Sequence, residues 1–233
     1  MVPHTLITGA NRGIGHALAL RALGRGHRVT AAVRRPDDPA VRQLNDAHAG
    51  RFAAVAYDAA DPDAAARLRD AAAHGPFGVP DRVWVNAAIG RDQTLGGFTA
   101  AAFAETFAVN VTGPALLLQA FGPVLGRGAG VAVLSSGMAS SALNINPAGP
   151  YAGYSASKAA VTRLVAALRP AFAERGVALA AVSPGWVKTD MGGPDAPTEP
   201  ADAAATLCAT MERLAAGEID AAFTDEHGAT LPF

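Results

Sequence analysis

The chain has 233 residues, a formal net charge of −1, 17% charged residues and one cysteine, Cys208. Its length suits one domain with a sizeable core, and its near-neutral charge argues against nucleic-acid binding, which requires a basic face. A single cysteine excludes an intrachain disulfide. The first four residues carry neither a basic segment nor a long apolar one, so we expect a cytoplasmic protein.

Hydrophobic residues make up 50% of the chain, but they are spread along it. No uninterrupted apolar run approaches the roughly 20 residues of a membrane-spanning helix, and no basic amphipathic helix suggests docking to a membrane surface. The six histidines are scattered without the spacing of metal ligands. We therefore expect neither a membrane segment nor a metal site.

Short apolar segments alternate along the chain with longer segments of helical spacing. In chain order, the predicted elements are a strand at 5–8, a helix at 14–23, a strand at 28–33, a helix at 41–49, a strand at 52–57, a helix at 64–73, a strand at 83–87, a helix at 98–124 that Gly113 and Pro114 should interrupt or bend, a strand at 131–135, a helix at 155–175, a strand at 177–183 and a helix at 200–216 before a short tail. This alternation predicts a parallel sheet with helices on both faces. We expect a single doubly wound α/β domain over 1–233, with ligands at the carboxyl ends of the strands.

Three glycines lie between the first strand and the first helix, in the spacing G-x-x-x-G-x-G. Gly9 allows a tight turn, Gly13 lets the backbone approach a pyrophosphate, and Gly15 lets the helix pack closely on the strand. A phosphate placed there meets free N–H groups and the positive end of the helix dipole. Glycines also end strands for steric reasons, but this position in an α/β chain predicts a nucleotide site.

The glycine spacing resembles that of the short-chain dehydrogenase/reductase family, and the resemblance extends over essentially the whole chain. It implies a Rossmann fold that binds a nicotinamide cofactor. Segments 189–194 and 223–233 are similar to the branch of Sniffer-type carbonyl reductases and bacterial C-factor-like proteins.

The end of the second strand bears on the choice of cofactor. NAD-specific Rossmann proteins place a carboxylate there for the adenosine ribose, and we align Val33 with that position, so the acceptor is absent. Arg34 follows, and Arg12 lies in the glycine turn, so two guanidinium groups are available for a 2′-phosphate. We therefore expect NADP(H); the alternative is that both arginines are solvated surface residues.

The resemblance implies further cofactor-binding residues. Asp58 ends the third strand at the place of an adenine contact, although a turn or helix-capping aspartate has the same pattern. Asn86, Ala87 and Ala88 look like the family's Asn-Asn-Ala-Gly segment, with Val85 replacing the first Asn and Ala88 replacing the Gly. The other positions carried over are Asn11, Ile14, Val109, Pro184, Gly185, Val187 and Thr189, the last four from a Pro-Gly-x-x-x-Thr turn.

Tyr154 and Lys158 open the long helix at i and i+4, so their functional groups lie on one face. A phenol titrates at about 10 when unperturbed. A nearby ammonium lowers that pKa and suits the phenol to general acid/base work. Both residues also belong to the expected cofactor site.

The resemblance supplies the catalytic roles. Tyr154 exchanges the proton with the substrate oxygen, Lys158 lowers the pKa of Tyr154 and holds the nicotinamide ribose, and Asn110 supports a water-linked proton relay to the lysine. The alternative for Asn110 is a structural role in which it only bonds a helix carbonyl. We assign the substrate-binding serine to Ser136 because the fifth strand ends there, but Ser140 and Ser141 fit the family's usual spacing to the tyrosine better.

These residues indicate an NADPH-dependent carbonyl reductase, or an alcohol dehydrogenase in the reverse direction. The alternatives are a C-factor-type signalling protein that binds NADP with little turnover, and a redox-coupled epimerase. Loops at about 91–98, 138–152 and 192–200 are apolar and predict a small, mainly apolar carbonyl or alcohol substrate whose identity stays open. The resemblance also implies a homodimer or tetramer formed through helices 98–124 and 155–175.

Overall fold

The computed structural model describes residues 2–91, 93–147 and 149–233. Seven strands form one sheet in the order β3-β2-β1-β4-β5-β6-β7, and every neighbouring pair is parallel. The strands are β1 (His4–Thr8), β2 (Arg28–Val33), β3 (Phe52–Ala56), β4 (Arg82–Val85), β5 (Gly130–Leu134), β6 (Ala178–Val182) and β7 (Phe223–Thr224).

Helices connect successive strands, as parallel pairing requires. They are α1 (Gly13–Gly24), α2 (Pro39–Ala47), α3 (Ala64–His74), α4 (Ala100–Phe107), α5 (Gly113–Phe121), α6 (Ala152–Glu174) and α7 (Pro200–Ala215). A π-helical turn, Ala108–Thr112, joins α4 to α5, and a short 3₁₀ turn, Gly137–Ala139, follows β5.

The core consists of two apolar clusters, one on each face of the sheet. Alternate strand residues point to opposite faces, so Leu6 belongs to the cluster under α3, α5 and α6, whereas Ile7 belongs to the cluster under α1, α2 and α7. The strands are therefore buried on both faces, which explains their nearly continuous apolar sequences. This confirms the predicted doubly wound parallel sheet.

Two elements differ in detail from the predictions. The helix predicted at 98–124 is interrupted beside Gly113, as expected, but by a π-turn over the five residues before it; a Cβ on Gly113 would overlap the carbonyl oxygen of Ala59. The expected tail contains β7, which adds a seventh strand at the edge next to β6. A strand of two residues is too short to show an apolar period in the sequence.

The stretch 100–121 has a mean hydropathy of 1.3, so by length and composition alone it would also pass as a membrane-crossing helix. It contacts α3 and α6 in the fold, and the core helix of a soluble protein meets the same criterion.

The order of the strands positions the site. The chain runs outward from β1 through β2 to β3, then crosses to the other side of β1 and continues through β4 to β7. The loops after β1 and β4 therefore diverge at the carboxyl edge and leave a cleft between them, which is where ligands bind in open α/β sheets.

Candidate active site

The glycine turn between β1 and α1 has the geometry of a phosphate cradle. Gly9 has φ of +70° and Gly13 has φ of +54°, both in the left-handed region that glycine adopts without strain. A Cβ on Gly15 would overlap the carbonyl oxygen of Gly9, so this glycine allows the close helix–strand packing that we predicted. No side chain caps the start of α1 at Arg12, so the first N–H groups of the helix are left to bind an anion.

Asn86 supports this turn from the next strand. Its Nδ2 donates to the carbonyl oxygens of Thr8 at 2.8 Å and Gly9 at 3.2 Å. The Thr8 hydroxyl accepts the backbone N–H groups of Asn86 and Ala87, both at 2.9 Å. Thr8 is fully buried and was missed by the sequence analysis, since its role depends on contacts 78 and 79 residues away.

The cleft at the carboxyl edge of the sheet has a volume of about 230 Å³. It brings together most of the residues that were expected to bind the cofactor: Gly9, Asn11, Arg12, Gly13, Ile14, Arg34, Asp58, Asn86, Ala87, Ala88, Val109, Tyr154, Lys158, Pro184 and Thr189.

Three expected cofactor residues do not line this cleft. Gly15 lies behind the turn. Val187 is buried and pairs with Thr198 in an isolated bridge. Gly185 has φ of +76° and faces the Glu226 carboxylate, so it serves a turn of the chain. The structure thus gives these three residues packing or turn roles around the cleft.

The end of the cleft next to β2 carries the charged residues Arg12, Arg34, Asp58 and Asp190. Val33 is buried and Arg34 is exposed at the cleft wall. Arg12 forms an exposed ion pair with Asp190, 2.6 Å apart, which ties the glycine turn to the loop after β6. Asp58 also lines the cleft, while its Oδ1 accepts the N–H of Ala60 at 3.0 Å in a local turn. Asp58 therefore lies at the cleft, where an adenine contact would be made, and also closes a local turn.

Tyr154 and Lys158 lie at the opposite end of the cleft, on the first turns of α6. The Lys158 ammonium is 5.6 Å from the centre of the Tyr154 ring and donates to the carbonyl oxygen of Leu134 at 2.6 Å. Its side chain is buried, and the loss of hydration lowers the pKa of Lys158 to about 8.

The pKa of Tyr154 departs from the sequence expectation. Burial raises the pKa of the phenol to about 12, and a hydrogen bond with the Ser136 hydroxyl opposes that rise only in part. The expectation that Lys158 sets a lowered tyrosine pKa is therefore wrong for this structure, because burial outweighs the other influences on the phenol.

The structure distinguishes the three candidate serines. The Ser136 hydroxyl lies near enough to the Tyr154 phenol to lower its pKa, and its Oγ accepts the N–H of Met138 at 3.2 Å. Ser140 is buried with its Oγ accepting the N–H of Leu143 at 3.0 Å, and Ser141 is exposed. Only Ser136 of these three is placed beside the phenol.

Asn110 lies in the π-turn and is buried. Its Nδ2 donates to the carbonyl oxygen of Ile89 at 2.8 Å and to the Ser157 hydroxyl at 3.0 Å, while its Oδ1 accepts the N–H of Ile89 at 2.9 Å. Asn110 thus joins the loop after β4 to α6, rather than bonding a helix carbonyl as in the alternative considered for it.

The loops over this end of the cleft carry large apolar side chains. Asp92 and Ala148, which fall in the predicted loops 91–98 and 138–152, lie outside the described residues. A Cβ on Gly90 would lie 3.3 Å from Met191, which lines the cleft, and a Cβ on Gly137 would lie 2.8 Å from Ile145, so Ile145 lies next to the residue after Ser136. Other exposed apolar residues of these loops and of the loop after β6 are Leu95, Phe98, Leu143 and Trp186.

The described residues give little support for metal binding or for a reactive thiol. Within 2–91, 93–147 and 149–233, no three His, Cys, Asp or Glu side chains are grouped so that they could hold a metal ion. Cys208 is buried in α7, and burial raises the pKa of its thiol to about 11, which disfavours the reactive thiolate.

Comparisons with known proteins agree with this geometry. A family model described as short chain dehydrogenase matches residues 3–200. The C-signal protein of Myxococcus xanthus is 36% identical over 141 residues, covering 60% of this chain and 83% of that protein. A versicolorin reductase of Emericella nidulans is 31% identical over 188 residues, covering 80% of this chain and 69% of the relative.

Several solved structures match over the whole length of the chain. A carbonyl reductase from Pseudomonas aeruginosa PAO1 superposes with a TM-score of 0.86 at 35% identity, with 100% of both chains covered. A carbonyl reductase from chicken fatty liver, crystallised with NADPH, superposes with a TM-score of 0.89 at 25% identity, covering 100% of this chain and 99% of that one.

Proposed function

We propose that this chain, which belongs to the short-chain dehydrogenase/reductase family, is an NADP(H)-dependent oxidoreductase that reduces a ketone or aldehyde, or oxidises the corresponding alcohol. The observation that carries the proposal is the placement of Tyr154 and the buried Lys158 together at one end of a cleft whose other end is a glycine cradle, with Ser136 near the phenol. A protein that only bound a nucleotide would not need this group.

NADP(H) fits the residues that line the cleft. The glycine turn and the uncapped start of α1 would hold the pyrophosphate, and Arg34 with Arg12 would bind the 2′-phosphate. Similar carbonyl reductases from Pseudomonas aeruginosa PAO1 and chicken fatty liver were crystallised with NADP and NADPH. When bound, the cofactor supplies or accepts the hydride.

The chain's own residues move the proton. Tyr154 donates its phenolic proton to the carbonyl oxygen, and Ser136, near the same phenol, orients that oxygen. A phenol with a pKa of about 12 is protonated at neutral pH, as a proton donor for reduction must be. Lys158 carries its positive charge below a pKa of about 8 and places it near the phenol.

Asn110 acts as a positioning residue in this proposal. Both of its amide hydrogens and one lone pair of its oxygen are already used in bonds to Ile89 and Ser157. These bonds fix α6, and therefore Tyr154, relative to the loop after β4. The water-linked relay that the family resemblance implies would use the remaining lone pair of Oδ1.

We further propose that the whole chain acts as one cytoplasmic domain on a small, mainly apolar substrate. Met191, which lines the cleft, and Ile145, next to the residue after Ser136, support that substrate class.

A homo-oligomer through α4, α5 and α6 is supported by the apolar stretch 100–121. Only 33% of its most apolar part is buried inside the protein, so apolar surface is left for a partner subunit.

A second candidate function is NADP-dependent signalling with little turnover. The observation that favours it is the 36% identity to the C-signal protein of Myxococcus xanthus over 60% of this chain. It predicts that the cleft binds NADPH while the group around Tyr154 turns over no carbonyl compound.

Loss of NADPH absorbance with a panel of aldehydes, ketones and quinones tests the proposal. Tyr154→Phe removes the proton donor and should lower kcat by a factor of about 10² or more. Tyr151→Phe is the matched control, since it lies one turn earlier and contacts the Tyr154 ring without sharing its role. Tight NADPH binding with no turnover of any compound by the wild type would instead favour signalling.

A further inference from the structure

Gln93, in the loop after β4, is a polar residue that the mechanism above does not use. Its side chain is 1% exposed, and neither Oε1 nor Nε2 has a hydrogen-bond partner among the residues that the structure describes. Burying a carboxamide without partners is unfavourable, so its position calls for a reason other than stability. It does not line the cofactor cleft.

Gln93 contacts the segment 150–153, which immediately precedes Tyr154. Its N–H donates to the carbonyl oxygen of Pro150 at 2.5 Å, and its backbone pairs with Tyr151 in an isolated parallel bridge. Its carboxamide fills the space beside Gly153, where any Cβ would overlap Oε1. The carboxamide and the missing side chain of Gly153 therefore fit each other.

This contact lies at the first turn of α6, one turn before the bond between Asn110 and Ser157. Tyr151, the N-cap residue of α6, provides no side-chain cap, and its ring packs edge-on against Tyr154 with 6.2 Å between centres. The position of the first turn of α6 decides whether the Tyr154 phenol reaches Ser136. A displacement of about 1 Å in such a group can lower a rate by a factor of about 10².

We propose that Gln93 is a positioning residue for Tyr154, whose buried carboxamide holds the first turn of α6 against the loop after β4 through the space at Gly153. It acts through Tyr154 and does not touch the substrate, because it is buried away from the cleft. The catalytic consequence rests on the proposed carbonyl reductase function, but the contact between Gln93 and Gly153 does not.

The test uses the full chain in three forms: Gln93→Ala, Gly153→Ala and the double variant. Gln93→Ala removes the side chain that fills the space beside Gly153, whereas Gly153→Ala pushes the carboxamide out without altering Gln93. Gln43→Ala, on the exposed face of α2, is the matched control. We expect kcat for carbonyl reduction to fall about tenfold in either single variant, with KM for NADPH within about twofold of the wild type.

Two further readouts separate positioning from a structural role. The pH profile of kcat should shift in both single variants, since the environment of the phenol changes, and the double variant should be no slower than the slower single one. A lowered unfolding temperature with unchanged kcat and pH profile would overturn the proposal, as would multiplicative losses in the double variant.

If the wild type binds NADPH but reduces no carbonyl compound, the proposed function fails and the contact is still measurable. The changes in unfolding temperature of the two single variants and the double variant then form a double-mutant cycle. Non-additive changes support the contact between Gln93 and Gly153, and additive changes refute it.

Discussion

Replacing Arg34 with alanine tests whether the Arg34 guanidinium makes the cleft prefer NADPH over NADH. Arg34 follows β2 and lines the cleft, where the two cofactors differ only by a 2′-phosphate. We expect Arg34→Ala to raise KM for NADPH much more than KM for NADH. The substitution removes a guanidinium that would form charge-assisted hydrogen bonds with the phosphate and leaves the glycine turn intact.

The structure limits the size of this effect. A hydrogen bond to a charged group contributes about 1.5–3 kcal/mol, and Arg34 is exposed, so solvent and salt place it at the lower end of that range. At about 1.4 kcal/mol for each factor of ten, the expected loss for NADPH is roughly tenfold to thirtyfold. KM for NADH should stay within about twofold of the wild type. Raising the ionic strength should narrow the difference between the two cofactors.

Arg35→Ala is the matched control for this measurement. Arg35 is the next residue, is equally exposed and does not line the cleft, so its removal changes net charge by the same amount without reaching the phosphate. Steady-state kinetics with both cofactors, for both variants, provide the comparison. Equal losses for NADPH and NADH in Arg34→Ala, or the same selectivity change in Arg35→Ala, would refute the assignment.

Two further predictions concern the reacting centre. Ser136→Ala should lower kcat by about tenfold or more, because the hydroxyl near the Tyr154 phenol is lost. Ser141→Ala, at an exposed position, should leave kcat unchanged. A larger loss of kcat in Ser141→Ala than in Ser136→Ala would assign the catalytic serine to the loop instead. The value of kcat/KM for carbonyl reduction should fall as the pH rises through about 8, since Lys158 is protonated only below its lowered pKa. A profile that stays flat well above that pH would show that the lysine charge does not contribute.

The fold was predictable because its main determinants are local. Each of β1 to β6 is an apolar segment followed by residues with helical spacing, and burial on both faces of the sheet requires that pattern. The π-turn at Ala108–Thr112 was not predictable, because its sequence continues the helical pattern of α4. Gly113, which follows the turn, packs against Ala59, a contact between distant parts of the chain that the local pattern does not contain.

In the candidate site, too, the residues set by local sequence were predictable and those set by long-range contacts were not. The glycine turn and the pair Tyr154 and Lys158 are visible in the sequence, because each lies within eight residues of chain. The ion pair between Arg12 and Asp190 joins residues 178 apart, and the buried Gln93 has its significance only beside Gly153. Nothing in their local sequences distinguishes Asp190 or Gln93 from ordinary loop residues.

The pKa of Tyr154 shows most clearly what sequence reasoning lacked. Spacing alone places a positive charge near the phenol and predicts a lowered pKa. Burial removes water from both side chains, raising the pKa of the phenol to about 12 and lowering that of the ammonium to about 8. Both shifts disfavour the charged form. The free protein therefore holds a protonated phenol, which is the form that the proposed reduction would use.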